Sequence, residues 1–207
     1  MQWNQNLQLK QNNYTLMSIK EIAHEVYRGD SPSKYHDNGI LMLQVNNIEP
    51  FEIIYENKKY ISSEEYNKKP RFQLKENDLL VSGIGPPLGE VCFIRKSNLP
   101  LSAYNHITVI RPNEDIINAI YLCTFLNSSF GQMQMKKYYT GVRQIYLTNE
   151  WIEKILVPVP ELSIQNKISR LVLQELEQMS KAEDNLKTIE MTIFDDVINK
   201  HLKIKQE

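Results

Sequence analysis

The sequence predicts an α+β fold: a globular domain built on a mixed or largely antiparallel sheet with peripheral helices, followed by one long C-terminal α-helix of coiled-coil type. Three observations lead there. Short runs rich in Val, Ile, Leu and aromatics, each bounded by Gly, Pro or Asn, occupy residues 40–110 with no helices alternating between them. No Gly or Pro occurs from Ser163 to Glu207, where apolar residues recur at helical spacing. A chain of 207 residues with 42% hydrophobic and 24% charged content can bury one core and still carry an extension.

Taken in order, Ser18-Ile-Lys-Glu21 reads as a capping box. Ile19, Ile22, Ala23 and Val26 then repeat at helical spacing until Arg28-Gly29-Asp30-Ser31-Pro32 interrupts them, so one short helix is expected. Strands are expected over 40–45, 51–55, 78–82, 90–95 and 107–110. Gly83-Ile-Gly85-Pro-Pro-Leu-Gly89 is spaced GxGxxxG, lacks a following Lys-Ser/Thr pair and runs into another strand. It reads as a tight strand-to-strand turn and not as a phosphate cradle. Its Pro-Pro pair also lacks the preceding Asn or Asp and the following aromatic of amino-methyltransferase loops. Helices are expected over 115–126, 128–138 and 148–155, and Val157-Pro-Val-Pro160 is an extended stop.

Beyond that stop Ser163 is placed to cap the last helix, which divides the chain into a domain over 1–160 and a helix over 161–207. Val172, Leu176, Met179, Ala182, Leu186, Ile189, Ile193 and Val197 step mostly by three and four along it. Such a helix is roughly 60 Å long at ~1.5 Å per residue, more than a domain of this size covers, so part of the stripe is expected to meet another helix. The alternative is a helix folded back on its own domain.

Several chemistries are excluded. Cys92 and Cys123 form no CxxC, and His24, His36, His106 and His201 never pair at ligand spacing, so neither a zinc site nor a disulfide framework is indicated. Free thiols and a polar N-terminus without a secretory signal fit a cytoplasmic chain. Residues 116–135 carry no charge but are too polar for a membrane segment. No Gly-x-Ser-x-Gly elbow occurs. Asp37 with Glu56 and Lys58 fits the loose acid…ExK arrangement of metal-dependent nucleases, in which carboxylates hold a divalent ion and the lysine supports the attacking water.

Charge is distributed unevenly in a chain whose net charge is only -1 and whose pI is about 6.5. Residues 58–75 hold Lys58, Lys59, Lys68, Lys69, Arg71 and Lys75 against Glu64 and Glu65, interleaved with Tyr60, Tyr66 and Phe72. The span 116–149 has no acidic residue and carries Lys136, Lys137 and Arg143 around Tyr138, Tyr139 and Gly141. Cations neutralise phosphates, and Arg and Gln can pair bidentately with base edges, so Arg143-Gln144 on a glycine-hinged loop is a candidate reader. A solvated loop is the alternative.

The order of motifs resembles the specificity subunits of type I restriction-modification systems. The stations are Arg28-Gly29-Asp30-Ser31-Pro32, Leu74-Lys-Glu-Asn-Asp78-Leu-Leu-Val-Ser82 before the glycine turn, and Tyr121-Leu-Cys-Thr-Phe-Leu126. Thr140-Gly-Val-Arg-Gln144, Ile155-Leu-Val-Pro-Val-Pro160 and Ser163-Ile-Gln165-Asn-Lys-Ile168 follow, the Pro-x-Pro exit with Gln-x-x-Ile being the most specific. The resemblance implies one target-recognition domain and one conserved-region helix, where full subunits carry two of each. It further implies a non-catalytic chain that reads part of a bipartite site in double-stranded DNA. The apolar stripe from Val172 to Val197 is expected to find its cover in a second copy of the chain, and the resemblance implies that the helix also docks a modification subunit, which would hold S-adenosylmethionine, with a restriction subunit joining in an intact system. The competing readings are the nuclease and a protein-interaction module whose working part is the helix.

Overall fold

In the computed structural model, which describes residues 14–85, 88–137 and 146–201, the chain opens with β1 (Tyr14–Ser18), α1 (Ile19–Ile22) and β2 (Ala23–Arg28). Next come β3 (Ile40–Leu43), β4 (Ile48–Glu49), β5 (Glu52–Ile53), β6 (Tyr60–Ile61) and α2 (Ser63–Lys68). They are followed by β7 (Leu79–Ser82), β8 (Val91–Phe93), β9 (Leu101–Ala103) and β10 (Ile107–Pro112). The remainder is α3 (Ala119–Asn127), α4 (Ser129–Lys137), α5 (Asn149–Glu153), β11 (Leu156–Pro160) and α6 (Leu162–His201). Two compact units result, Met1–Asn166 and Lys167–Glu207.

The first unit is an α+β body, as expected. An antiparallel sheet of order β2-β10-β7-β8 forms its centre, and Thr108 of β10 faces Arg28 on one side and Val81 on the other. A mixed sheet of order β6-β3-β9 pairs β3 antiparallel to β6 and parallel to β9. The residues of β7 and β8 are buried throughout, and Leu79, Leu80, Val81, Val91, Cys92, Ile107, Val109 and Ile110 are wholly inaccessible. Continuous apolar runs of this kind mark strands covered on both faces.

The expected helix from Ile19 to Val26 is a single turn. The Glu21 carboxylate accepts from the Ser18 amide at 2.7 Å and hydroxyl at 2.6 Å, and Ile19 and Ile22 are buried. Ala23 then takes φ -114 and ψ 143, and Val26 and Tyr27 pair with Ile110 and Val109. The ladder to β10 thus overrides the helical spacing, which these β-branched and aromatic residues satisfy equally well as a strand. The last helix begins at Leu162, with the amides of Ile164 and Gln165 on the Glu161 carbonyl, so Ser163 lies in its first turn and is not the cap.

Carboxamides finish several backbone edges. Asn127 accepts from the Val91 amide and donates to the Val91 carbonyl at 3.1 and 2.7 Å, and Gln134 does the same for Leu156 at 2.9 Å in both directions. Each stands in for a neighbouring strand. The Pro-rich exit forms β11, paired antiparallel with β1, where proline is tolerated because an edge strand leaves amides unused. Gln165, fully buried, accepts from the Asn118 amide at 2.7 Å and donates to the carbonyls of Pro160 and Ile116 at 2.7 and 3.1 Å. Asn118 itself caps α3 by accepting from the amides of Ile120 and Tyr121. This knot is what the Pro-x-Pro…Gln pattern encodes.

At one end of the central sheet the buried Asp78 carboxylate receives Arg111 at 2.8 Å on each oxygen, and Arg111 also reaches Glu25 at 2.9 Å and the Tyr27 hydroxyl at 3.2 Å. Burial, with the Asp78 charge beside it, pushes the Tyr27 hydroxyl up to about 12. A raised value favours the neutral form in the fold, so the stabilisation is complete below pH ~10 and lost as pH rises through about 12. Urea unfolding from pH 8 to 12 should therefore show an alkaline loss of at most ~2–3 kcal/mol that Tyr27→Phe flattens. An identical alkaline limb in the variant would assign the loss elsewhere.

Candidate nucleic-acid interface

Strand polarity gathers four chain segments at the opposite end of the central sheet. There β2 and β7 end and β10 begins, since Arg28 faces Thr108 and Ser82 faces Ile107. The amide of Gly29 bonds the Ile107 carbonyl at 3.0 Å and that of Gly83 bonds the His106 carbonyl at 2.9 Å. A Cβ at Gly29 would stand 2.2 Å from the Ala103 carbonyl oxygen, so only glycine fits this crossing. The fourth segment returns at Tyr146, which pairs with Ile84, and Leu147, whose amide bonds the Gly83 carbonyl at 3.0 Å and whose carbonyl accepts from Arg28 at 3.0 Å. On the other flank of the same turn, Gln132 of α4 donates to the Gly89 carbonyl at 2.7 Å. Both chain ends that bracket residues 138–145 are thereby tied to the β7–β8 turn.

Polar side chains line this rim. Asn105 donates to Ser31 at 2.8 Å, and the Ser31 amide donates to Asp30 at 2.7 Å. Lys69 stands 3.4 Å from Asp30 and 3.5 Å from Glu65. Glu65 also accepts from the amide and hydroxyl of Ser33 at 2.9 and 3.1 Å. Burial would raise the Glu65 carboxyl, but these Ser33 donors and Lys69 outweigh it and hold it below the usual range. The Lys59 ammonium lies 5.6 Å from the centre of the Tyr35 ring, and the rings of Tyr104 and His106 meet edge-to-face at 5.2 Å. Asn105 Oδ1 and His106 Nδ1 are buried with no partner among the described residues.

The residues singled out in the sequence fare differently. Lys58 and Lys59 are exposed, Lys68 is bound to Glu64 one helical turn away, and Arg71 lies 5.8 Å from the Tyr27 ring. Lys136 and Lys137 are exposed in the last turn of α4. Tyr138, Arg143 and Gln144 lie outside the described residues. Asp37, Glu56 and Lys58 stand on exposed loops, and no group of three metal-ligating side chains occurs among the described residues, so the nuclease reading finds no support. In the helix unit Val172 and Leu176 are half-buried, Ala182 is exposed, and Met179, Leu186 and Ile189 are 59%, 58% and 52% exposed. The side chains of Ile193 and Val197 lie outside the described ones. Sequence reasoning missed Tyr35, Tyr104, Asn105, His106 and the carboxylate of Asp30, although the Arg28–Pro32 motif marked the place.

Comparison with known proteins follows the same lines. Residues 12–190 match the type I restriction modification DNA specificity domain. The specificity subunit of the type I restriction enzyme MjaVIII from Methanocaldococcus jannaschii is 22% identical over 195 residues, covering 86% of this chain and 45% of that protein. The HsdS subunit from Thermoanaerobacter tengcongensis superposes with a TM-score of 0.61 at 16% identity, over 90% of this chain and 49% of that one. The S subunit of a type I restriction-modification system from M. genitalium gives 0.63 at 13% identity, over 100% of this chain and 49% of that one. The chain thus spans about half the length of the proteins it resembles.

The closeness of Gly29 to backbone on the neighbouring segment makes a direct prediction. Gly29→Ala should destabilise the chain by about 3 kcal/mol, because two backbones must part to admit one methyl group. Chemical denaturation measures it, and a change within about 0.5 kcal/mol, as an ordinary surface substitution gives, would contradict the geometry.

Proposed function

The chain belongs to the family of type I restriction modification DNA specificity domains, and from that premise we propose that its globular unit recognises a sequence in double-stranded DNA as a non-catalytic specificity module. The observation that carries this reading is the rim itself: four segments fixed by backbone hydrogen bonds, with Asn105 just before β10, Lys69 beside Asp30 and Lys59 against Tyr35, and bracketing the chain that holds Arg143 and Gln144. Lys58, Lys59, Lys68, Lys69, Arg71, Lys136 and Lys137 would meet phosphates, which position the module without carrying sequence information. Arg143 and Gln144 would meet base edges. Methylation and cleavage would reside in modification and restriction subunits, the former holding S-adenosylmethionine. The buried free thiols of Cys92 and Cys123 suit a reducing compartment, which supports a cytoplasmic assembly; no helix among the described residues is long and apolar enough to cross a membrane.

Duplex binding measured across salt concentrations tests this. Lys59→Ala with Lys136→Ala should weaken binding to all sequences and reduce the salt slope by about one for each phosphate no longer neutralised. Arg143→Ala should instead relax preference at one position, at a cost of roughly 1–3 kcal/mol there. A parent chain with no duplex binding at low salt would dismiss the reading.

The helix supplies the assembly. Met179, Ala182, Leu186 and Ile189 step by three, four and three, the spacing of a coiled-coil seam, and all four are exposed. A second copy paired antiparallel would cover them and put one recognition domain at each end, so the DNA site would be an inverted repeat whose spacer follows helix length. Solution mass should show a dimer for the parent and a monomer for Leu186→Glu with Ile189→Glu. A parent that stays monomeric at tens of micromolar, alone and with its modification subunit, would overturn the pairing.

A further inference from the structure

The Arg28–Pro32 motif brings a carboxylate to the rim that the basic patch does not account for. Within the patch Lys69 faces Glu65 from its own helix, and the fold adds Asp30 from the end of β2, so one ammonium stands between two carboxylates at 3.5 and 3.4 Å. Both distances exceed the ~2.7–2.9 Å of a tight charge-assisted hydrogen bond. The carboxylates are fixed by groups other than the lysine. Asp30 holds the Ser31 amide at 2.7 Å while its own amide is bound to the Ala103 carbonyl at 3.1 Å. Glu65 is held by the amide and hydroxyl of Ser33. Negative charge is therefore built into the rim, and it is larger than the single positive charge it surrounds.

We propose that Asp30 and Glu65 are specificity-determining residues that withhold Lys69 from indiscriminate phosphate contact; this rests on the DNA-reading function proposed above. A duplex of arbitrary sequence offers only its phosphates, and at Lys69 they meet an ammonium already flanked by two carboxylates, so that one contact is disfavoured. A cognate duplex is held close by base contacts made elsewhere on the rim, and its phosphate then draws the half-exposed Lys69 ammonium away from the two fixed carboxylates, from which it already stands 3.4 and 3.5 Å. The carboxylates weaken both complexes, but they weaken the unspecific one more, and discrimination is that difference. Lys68 differs in kind, since its Glu64 partner is 76% exposed and lies on the same helix face one turn away, where it can swing aside.

The test uses the full chain with Asp30→Asn and Glu65→Gln, singly and together. Each amide keeps an oxygen to accept from Ser31 or Ser33, and thermal unfolding checks that the fold is retained. Should one single variant unfold, the other carries the test. The probes are a labelled duplex of random sequence and a randomised duplex library from which bound sequences are enriched. The random duplex should bind roughly three- to tenfold tighter and its salt slope should steepen by about one, as one more phosphate is contacted, while enrichment in the library falls. Glu177→Gln adds the same charge to the helix unit and should leave both readouts near those of the parent. Folded variants whose slope and enrichment match the parent's would overturn the inference, as would equal effects from Glu177→Gln, which would reduce it to net charge. A parent that binds no duplex would instead remove the underlying function.

Discussion

The ion pair between Asp78 and Arg111 is the constraint on which the rest of the first unit depends. Asp78 directly precedes β7 and Arg111 lies near the end of β10, and the guanidinium extends the link to Glu25 and Tyr27 on β2. The same carboxylate takes the Lys75 amide at 2.8 Å, and the Asp78 carbonyl takes the Ile94 amide at 2.8 Å, which brings in the residue after β8. All four strands of the central sheet are indexed at this point. A slip of one residue would exchange the two packed faces of each strand and strand a carboxylate in the core, where an unpaired charge costs about 3–5 kcal/mol. The rim lies at the other end of the same strands, so the pair that fixes their register also fixes where Arg28, Gly83 and His106 emerge.

Local chemistry made some elements legible in the sequence and left others hidden. The β7–β8 turn was legible because its glycines and prolines exclude the alternatives locally, and the breaker-free stretch after Pro160 left little but a helix. The strand β2 was not, because Ile19, Ile22, Ala23 and Val26 satisfy a helical period and the ladder that overrides it comes from Thr108 to Pro112, far along the chain. Three-residue β9 lies parallel to β3 and carries no local signature. The charge reading was incomplete for the same reason: cations cluster in sequence, but Asp30 reaches Lys69 only through the fold. The family resemblance located the Arg28–Pro32 and Gln165 stations without their reasons, which prove to be a backbone crossing at Gly29 and a buried carboxamide knot at Gln165.

That knot governs how the body ends and the helix begins. Gln165 joins the carbonyl that closes β11, the carbonyl of Ile116 and the amide that precedes α3, while Tyr121 from the first turn of α3 donates to the Pro158 carbonyl at 2.7 Å. The first turn of α6 is thus made of the same hydrogen-bonded fabric as the sheet exit, since its Gln165 side chain satisfies the last carbonyl of β11 and the backbone on either side of Ile117. Separate treatment of domain and helix fits the composition of the two parts, yet the residues just after Pro160 do not divide so cleanly.

The anchoring of α4 and Tyr146 to one turn has a consequence for how such a protein can change. Gln132 holds Gly89 and Tyr146 holds Ile84, so the chain leaves and rejoins the scaffold at adjacent points whatever lies between. For a closed interval of this kind, doubling the number of residues costs only about 0.6 kcal/mol in closure entropy. A change in chain length between Lys137 and Tyr146 is therefore small in closure entropy beside what Gln132, Gln134 and the buried Met135 fix in α4.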